Sequence, residues 1–249
     1  MQSTVDLVAD TARAAAARRT TVWLAGGLSA AATVAGGWLA PPDAVQGQAQ
    51  RLMYLHVPAA WVAYVAFAVV LAASCAYRIG GDLRWDRFAR AAAEVGVVLT
   101  AVAIGTGSLW GRLVWGTWWA WDPRLVSTAL LLFAYASYLA LRRTVSERTG
   151  ARDGGDHRVA RPAAVVGAAG FLLVPVVHFS VLWWRSLHQQ ATVLAPQRPP
   201  IDARMGAALL LAVVAATLVA FCVVLHRVVR LERRLAVAAT PERAPARVG

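Results

Sequence analysis

Six apolar runs divide this 249-residue chain: Val22–Ala40, Val57–Tyr77, Ala91–Leu109, Leu125–Leu141, Ala163–Leu182 and Met205–Leu225. Each can cross the roughly 30 Å hydrocarbon core of a bilayer at about 1.5 Å of rise per residue. Lipid offers no water to the backbone, so a spanning run has to satisfy its own hydrogen bonds as a helix. The sequence therefore predicts an all-α, polytopic integral membrane protein with six transmembrane helices. A chain that is 59% hydrophobic, with mean hydropathy +0.53, has too much apolar surface for a soluble domain of this size. Gly105, Gly107 and Pro175 fall inside these runs, where membrane helices tolerate them better than soluble ones do. No internal repeat is evident, and residues 1–235 read as one membrane domain. The Ala-, Arg- and Pro-rich stretch 236–249 reads as a disordered tail.

The net charge of +12 comes with 25 basic residues, all arginine. They lie in short turns between the runs and do not gather on one face, which argues against nucleic acid as the partner. With the N-terminus inside, nineteen arginines fall in the segments 1–21, 78–90, 142–162 and 226–249, and six in the opposite segments. The positive-inside rule then places both termini in the cytoplasm. No small-residue cleavage site precedes Pro41-Pro42, so the first run is expected to be a retained span. Cys75 and Cys222 both lie within apolar runs, and they suggest small buried hydrophobes with no disulfide or zinc framework.

Three outer segments result, Pro41–His56, Trp110–Arg124 and Trp183–Arg204. The second holds Trp110, Trp115, Trp118, Trp119 and Trp121, five of the chain's eleven tryptophans, and Trp183 and Trp184 add two more on the same side. An interfacial belt needs only one or two per helix end. A concentration of indoles in one loop instead suits a platform for a large, flat, mostly apolar ligand. Asp122 either caps the helix beginning near Leu125 or touches the ligand directly, and Pro123 fits a first helical position.

Of the five histidines, His157 and His226 belong to the inner side. His56 opens the second span and His188 follows the fifth, so both share the outer face with the tryptophan loop. His178 lies about 15 Å deeper than His188 if its helix runs on, and it competes as a pocket residue. Two imidazoles, one on each face of a macrocycle, are a common axial ligand set for haem iron. These residues define an outer-face site for a flat ligand, either haem with His56 and His188 as axial ligands or a quinone.

Three motifs narrow this. Trp115-Gly-Thr-Trp-Trp-Ala-Trp-Asp-Pro-Arg-Leu-Val-Ser127, preceded by Gly107-Ser-Leu-Trp-Gly111, resembles the signature of the tryptophan-rich (WWD) haem-handling proteins. Together with Leu55-His-Val-Pro-Ala-Ala60 and His178-Phe-Ser-Val-Leu-Trp-Trp-Arg-Ser-Leu-His-Gln189, it resembles the haem exporter protein C (CcmC) family of the cytochrome c maturation system. The likeness covers most of the chain. It departs at Leu182, where the family pattern leads one to expect an acid beside the tryptophan pair.

The resemblance implies a haem-handling membrane protein of the bacterial inner membrane, with no catalytic residues. Haem b would sit at the periplasmic face between His56 and His188, against Trp110, Trp115, Trp118, Trp119, Trp121, Asp122 and Arg124. It would pass to a membrane-anchored periplasmic haem chaperone (CcmE-like), in association with ABC transporter subunits (CcmA/CcmB-like) and a small single-span subunit (CcmD-like). The alternatives are a transmembrane b-type electron-transfer protein and a transporter that moves haem across the membrane. The first needs histidine pairs stacked through the bilayer, and the inner halves of the spans offer only His226. The second favours internal repeats and broken helices around a midplane site, of which only Pro175 is a trace.

Overall fold

The computed structural model describes residues 4–189 and 201–239, which form helices with no strand among them. In order these are α1 (Thr4–Leu39), α2 (Met53–Gly80), α3 (Leu83–Val114), α4 (Pro123–Thr149), α5 (His157–Gly170), α6 (Leu173–Trp183) and α7 (Ala203–Ala239), with a 3₁₀ turn at Gln48–Leu52 ahead of α2. Since α5 and α6 make one crossing, six segments among the described residues are long and apolar enough to span a membrane, and they match the six runs, the first to within one residue. The chain is an all-α, multi-pass membrane protein.

Several of the helices begin where an aspartate side chain satisfies a first-turn N–H. Asp82, Asp122 and Asp156 cap α3, α4 and α5, each accepting the N–H two residues on at 2.8–2.9 Å. Pro123 follows its cap at the first helical position, where no N–H is needed. Gly81 and Gly150, at φ 70° and 62°, close α2 and α4 in a left-handed conformation that favours glycine.

Most helices overrun their apolar runs, because apolarity marks only the part inside hydrocarbon while backbone hydrogen bonding continues beyond it. α3 carries on through Trp110 to Val114, and α4 already includes Arg124. Irregular chain in the expected 110–124 loop is thus confined to Trp115–Asp122. α7 runs to Ala239, four residues into the stretch expected to be disordered. Residues 240–249 lie outside the described residues, as does most of the segment after Gln189.

The fifth crossing is broken at Phe171–Leu172. Pro175 has no N–H to give the Phe171 carbonyl, and its ring would press on that carbonyl. The chain tightens there into short-range bonds, Phe171 N–H to Ala168 and Val174 N–H to Phe171.

The core lies where α2 and α3, the most extensive helix pair, meet α4 and α5. Phe67 stacks on Tyr135 with ring centroids 3.7 Å apart, and a side chain at Gly96 would run into the Phe67 ring. Large apolar residues also point outward, among them Leu28, Phe133 and Leu210, each at least 65% exposed. In water this would favour aggregation, whereas in lipid it is the preferred surface. Cys75 belongs to that outward face, contrary to the burial expected of it, and both cysteines are free.

The end of the bundle opposite the tryptophan loop is tied by charge. Arg142, 1% exposed, makes a bidentate pair with Asp86 on α3 (2.7 and 2.6 Å), reaches Asp153 at 2.7 Å, and donates to the Tyr138 hydroxyl at 2.9 Å. Removing one member of such a group strands a buried charge. Arg142→Met should cost about 3–5 kcal/mol, read as a lower thermal midpoint in detergent. Arg143→Met, which removes a pair to Glu147 that is mostly exposed, should leave the midpoint unchanged. Equal shifts in the two variants would contradict this account.

Candidate functional site

His56 sits in the first turn of α2, facing α3. Its Nδ1 lies 2.9 Å from the Ala103 carbonyl and 3.2 Å from the Thr106 hydroxyl. That hydroxyl already donates to the Val102 carbonyl at 2.7 Å, so both neighbours are acceptors and Nδ1 carries the proton. The lone pair is left on Nε2. The close approach depends on Gly107, where a Cβ would fall 2.9 Å from His56 Cε1. Trp110 meets the ring edge-on at 5.8 Å and is itself fixed by its Nε1–H donating to Gln46 Oε1 at 2.8 Å.

His188 lies beyond the end of α6, on non-helical chain. Its ring is 6.2 Å from that of His56, centroid to centroid, with the planes inclined at 37°. Nδ1 is 2.8 Å from the Gln189 carbonyl and 3.5 Å from Arg124 Nη1. The shorter contact decides the tautomer: Nδ1–H donates to the carbonyl, and Nε2 is again bare. Desolvation lowers the imidazole's pKa, and the nearby Arg124 cation lowers it further, so the ring is neutral at pH 7.

Trp115 packs 6.3 Å from His188, and Gly116, at φ 77°, turns the chain behind it. Trp110, Trp115 and Trp119 line a cavity together with His56, Arg124 and His188. Trp118 and Trp121 do not line it and are 59% and 86% exposed. The five indoles therefore divide into three that face the pocket and two that face outward. Leu182, Trp183 and Trp184 are exposed as well.

Asp122 is also outside the lining. One carboxylate oxygen caps α4 through the Arg124 N–H at 2.9 Å, and the other accepts from the Ser186 hydroxyl at 2.8 Å and the Leu187 N–H at 2.7 Å. Burial raises its pKa, but these three donors outweigh that and hold the carboxyl below the usual range. Arg124 does line the cavity. Its Nη2 donates to the His178 carbonyl at 2.6 Å, while its buried Nε has no partner among the described residues.

The cavity is deeper than a site on the outer rim alone. It continues past His178 to Tyr64, Thr128 and Leu131. Tyr64 is eight residues from His56 along α2, about 12 Å at helical rise. His178 contacts Tyr64 edge-on at 6.2 Å and forms part of this deeper wall.

Some pocket residues carry no motif that sequence reasoning could single out. Gln46 and Tyr64 are ordinary in their runs. Ser186 had one signal, a hydroxyl two residues before His188 on a segment otherwise apolar or basic. Gly107 stood in the Gly107–Gly111 motif that carried the resemblance, but nothing there showed that His56 would pack against it.

The fold and site define a multi-pass membrane protein with a histidine–tryptophan pocket at one end of its helical bundle. The chain belongs to the family described as Heme exporter protein C, whose model matches residues 6–240. It is similar to Heme exporter protein C of Bradyrhizobium diazoefficiens, 39% identical over 185 residues, which cover 72% of this chain and 65% of that protein. The protein of the same name from Escherichia coli K12 is 36% identical over 177 residues, 68% of this chain and 67% of that one. That of Haemophilus influenzae is 34% identical over 176 residues, 70% and 68%. The chain thus spans about two thirds of the length of these relatives. With its six apolar spans and this family membership, it is a multi-pass protein of the bacterial inner membrane.

Glycine spacing provides a test of the pocket's geometry. Gly107→Ala should push the His56 ring or part α2 from α3, at a cost of about 1–3 kcal/mol. Gly105→Ala, whose Cβ would meet nothing within 4 Å, should be neutral or slightly stabilising. Thermal midpoints of the two variants in detergent compare them directly, and a neutral Gly107→Ala would mean that His56 is not held this closely.

Proposed function

We propose that this protein binds haem b between His56 and His188 at the periplasmic face and delivers it to a membrane-anchored periplasmic haem chaperone, in association with an ABC transporter and a small single-span subunit. The observation that carries this reading is the pair of imidazoles 6.2 Å apart, each with Nδ1 on a carbonyl, which leaves the lone pair on Nε2. A metal–imidazole bond is about 2.0–2.1 Å and a ring centroid lies about 1.1 Å behind its nitrogen, so a trans pair would be about 6.3 Å apart. The carbonyl partners are the kind of support that fixes ligand tautomer and ring orientation.

The donor set argues for a macrocycle in place of a bare ion. No group of three or more His, Cys, Asp or Glu side chains able to hold a metal occurs among the described residues, and residues 190–200 contain none of these types. Two imidazoles alone cannot complete a tetrahedral or octahedral shell. They suit an iron that arrives with four in-plane ligands of its own.

In this reading Trp110, Trp115 and Trp119 contact the ring, and the Arg124 guanidinium offers its free Nε to an anionic group on it. Trp118 and Trp121, with Trp183 and Trp184, supply an exposed aromatic surface for an acceptor to approach. Asp122 acts by holding the loop. The haem itself is cargo: its iron supplies two exchangeable axial positions, and the protein supplies the groups that occupy them until a partner does. The electron-transfer alternative needs histidine pairs stacked through the bilayer, and the inner halves of the spans offer only His226.

The test is the optical spectrum of the full-length protein purified with its haem chaperone. Wild type should show six-coordinate, bis-histidine haem. His56→Ala and His188→Ala should each lose that signature and fail to load the chaperone. Normal loading by both variants would refute the axial assignment.

A further inference from the structure

The two histidines are held in very different ways. His56 belongs to α2, packs against α3 in the most extensive interface of the bundle, and bonds a carbonyl within a helix. His188 is carried by residues 184–189, which follow the last turn of α6 as extended and irregular chain. Among the described residues, two hydrogen bonds tie Ser186 and Leu187 to the rest of the fold, and both end on Asp122 Oδ2. The Ser186 oxygen in turn accepts the backbone N–H of His188 at 3.0 Å. An unbroken path of hydrogen bonds thus runs from one carboxylate oxygen to the residue bearing the ring.

We propose that Asp122 is the positioning residue for His188, acting through Ser186 and Leu187, and that the His188 face of the site is the one that opens when haem is handed on. The proposal rests on the reading that haem is held between His56 and His188. Its physical basis is the difference in what must be broken to withdraw each ring. Moving His56 requires displacing a helix from its partner. Among the described residues, moving His188 requires releasing one carboxylate oxygen from two donors and parting the ring from Arg124 Nη1 (3.5 Å) and Trp115, with no displacement of helix α4 or of the His56 wall. The other oxygen of Asp122 still caps α4, so the pocket survives the opening. A partner that supplies its own ligand would therefore displace His188 and leave His56 bound to the last.

The variants Ser186→Ala, Ser186→Thr and Asp122→Asn test this in the full-length protein in detergent. Asp122→Asn also disturbs a helix cap and could unfold, whereas Ser186→Ala removes only the relay hydroxyl and Ser186→Thr restores it. The first measurement is amide exchange of the peptide covering residues 184–189 with no haem added. Ser186→Ala should exchange about tenfold faster than wild type, the effect of losing a hydrogen bond to a charged group, and Ser186→Thr should match wild type. The second measurement adds haemin and follows the spectrum and the rate of haem loss to excess apomyoglobin. Ser186→Ala should shift toward five-coordinate haem and lose it about tenfold faster, with both restored in Ser186→Thr.

Unchanged exchange in Ser186→Ala and Asp122→Asn would overturn the clamp. Faster exchange with an unaltered spectrum and loss rate would overturn its role in presenting His188. If wild type itself forms no six-coordinate complex, the haem reading fails and the opening at handover falls with it. The exchange data would then still decide whether Asp122 holds the segment.

Discussion

Inside hydrocarbon a backbone amide without a partner costs several kcal/mol, and helices satisfy that demand within a single segment. Among the described residues, irregular chain accordingly occurs at helix ends, with one break at Phe171–Leu172 that Pro175 imposes. Everything chemically adaptable in this protein is therefore pushed to the two ends of the bundle. One end receives the arginine-rich turns and the Arg142–Asp86–Asp153 group. The other receives the tryptophan segment and the chain carrying His188. Irregular chain is accommodated most easily at an end of the bundle, and the site accordingly has loop in its upper wall and helix in its lower one.

The same constraint explains which parts were legible in sequence. The six spans could be read because lipid exposure forces apolarity all round a helix, as Phe133 and Leu210 show by pointing outward. Helix ends were less legible. Trp110 and Arg112 look like loop residues, yet α3 keeps its hydrogen bonds past them, since leaving hydrocarbon does not oblige a helix to stop. His56 and His188 could be placed on one side by counting crossings, but nothing in the 131 residues between them states a distance of 6.2 Å. The division of the indoles was invisible for a similar reason. Trp118 and Trp119 are adjacent in the chain, and only the turn at Gly116 and the extended chain after it decide that one faces out and the other in.

Asp122 shows the limit most clearly. Its capping role could be read from Asp-Pro before an apolar run, because the cap and the helix are neighbours in sequence. Its second oxygen serves Ser186 and Leu187, which are 64 and 65 residues away. A single carboxylate thus has one function that sequence local to it can reveal and another that only the fold can.

The two charged groups at opposite ends of the bundle behave differently for a physical reason. Arg142 meets two carboxylates and a hydroxyl while almost wholly buried, so no single bond can be released without stranding charge, and the group acts as a permanent tie. Asp122 Oδ2 meets two neutral donors on a short segment beside solvent-exposed Trp184 and Leu187. When that segment leaves, water can replace both donors at little cost. A site that must hold a ligand and also surrender it needs one wall of each kind, a helix pair that does not yield and a strap whose anchor can be exchanged for water. On the proposed reading, His56 stands on the first kind of wall and His188 on the second, so a partner would open the pocket without disturbing the bundle that forms it.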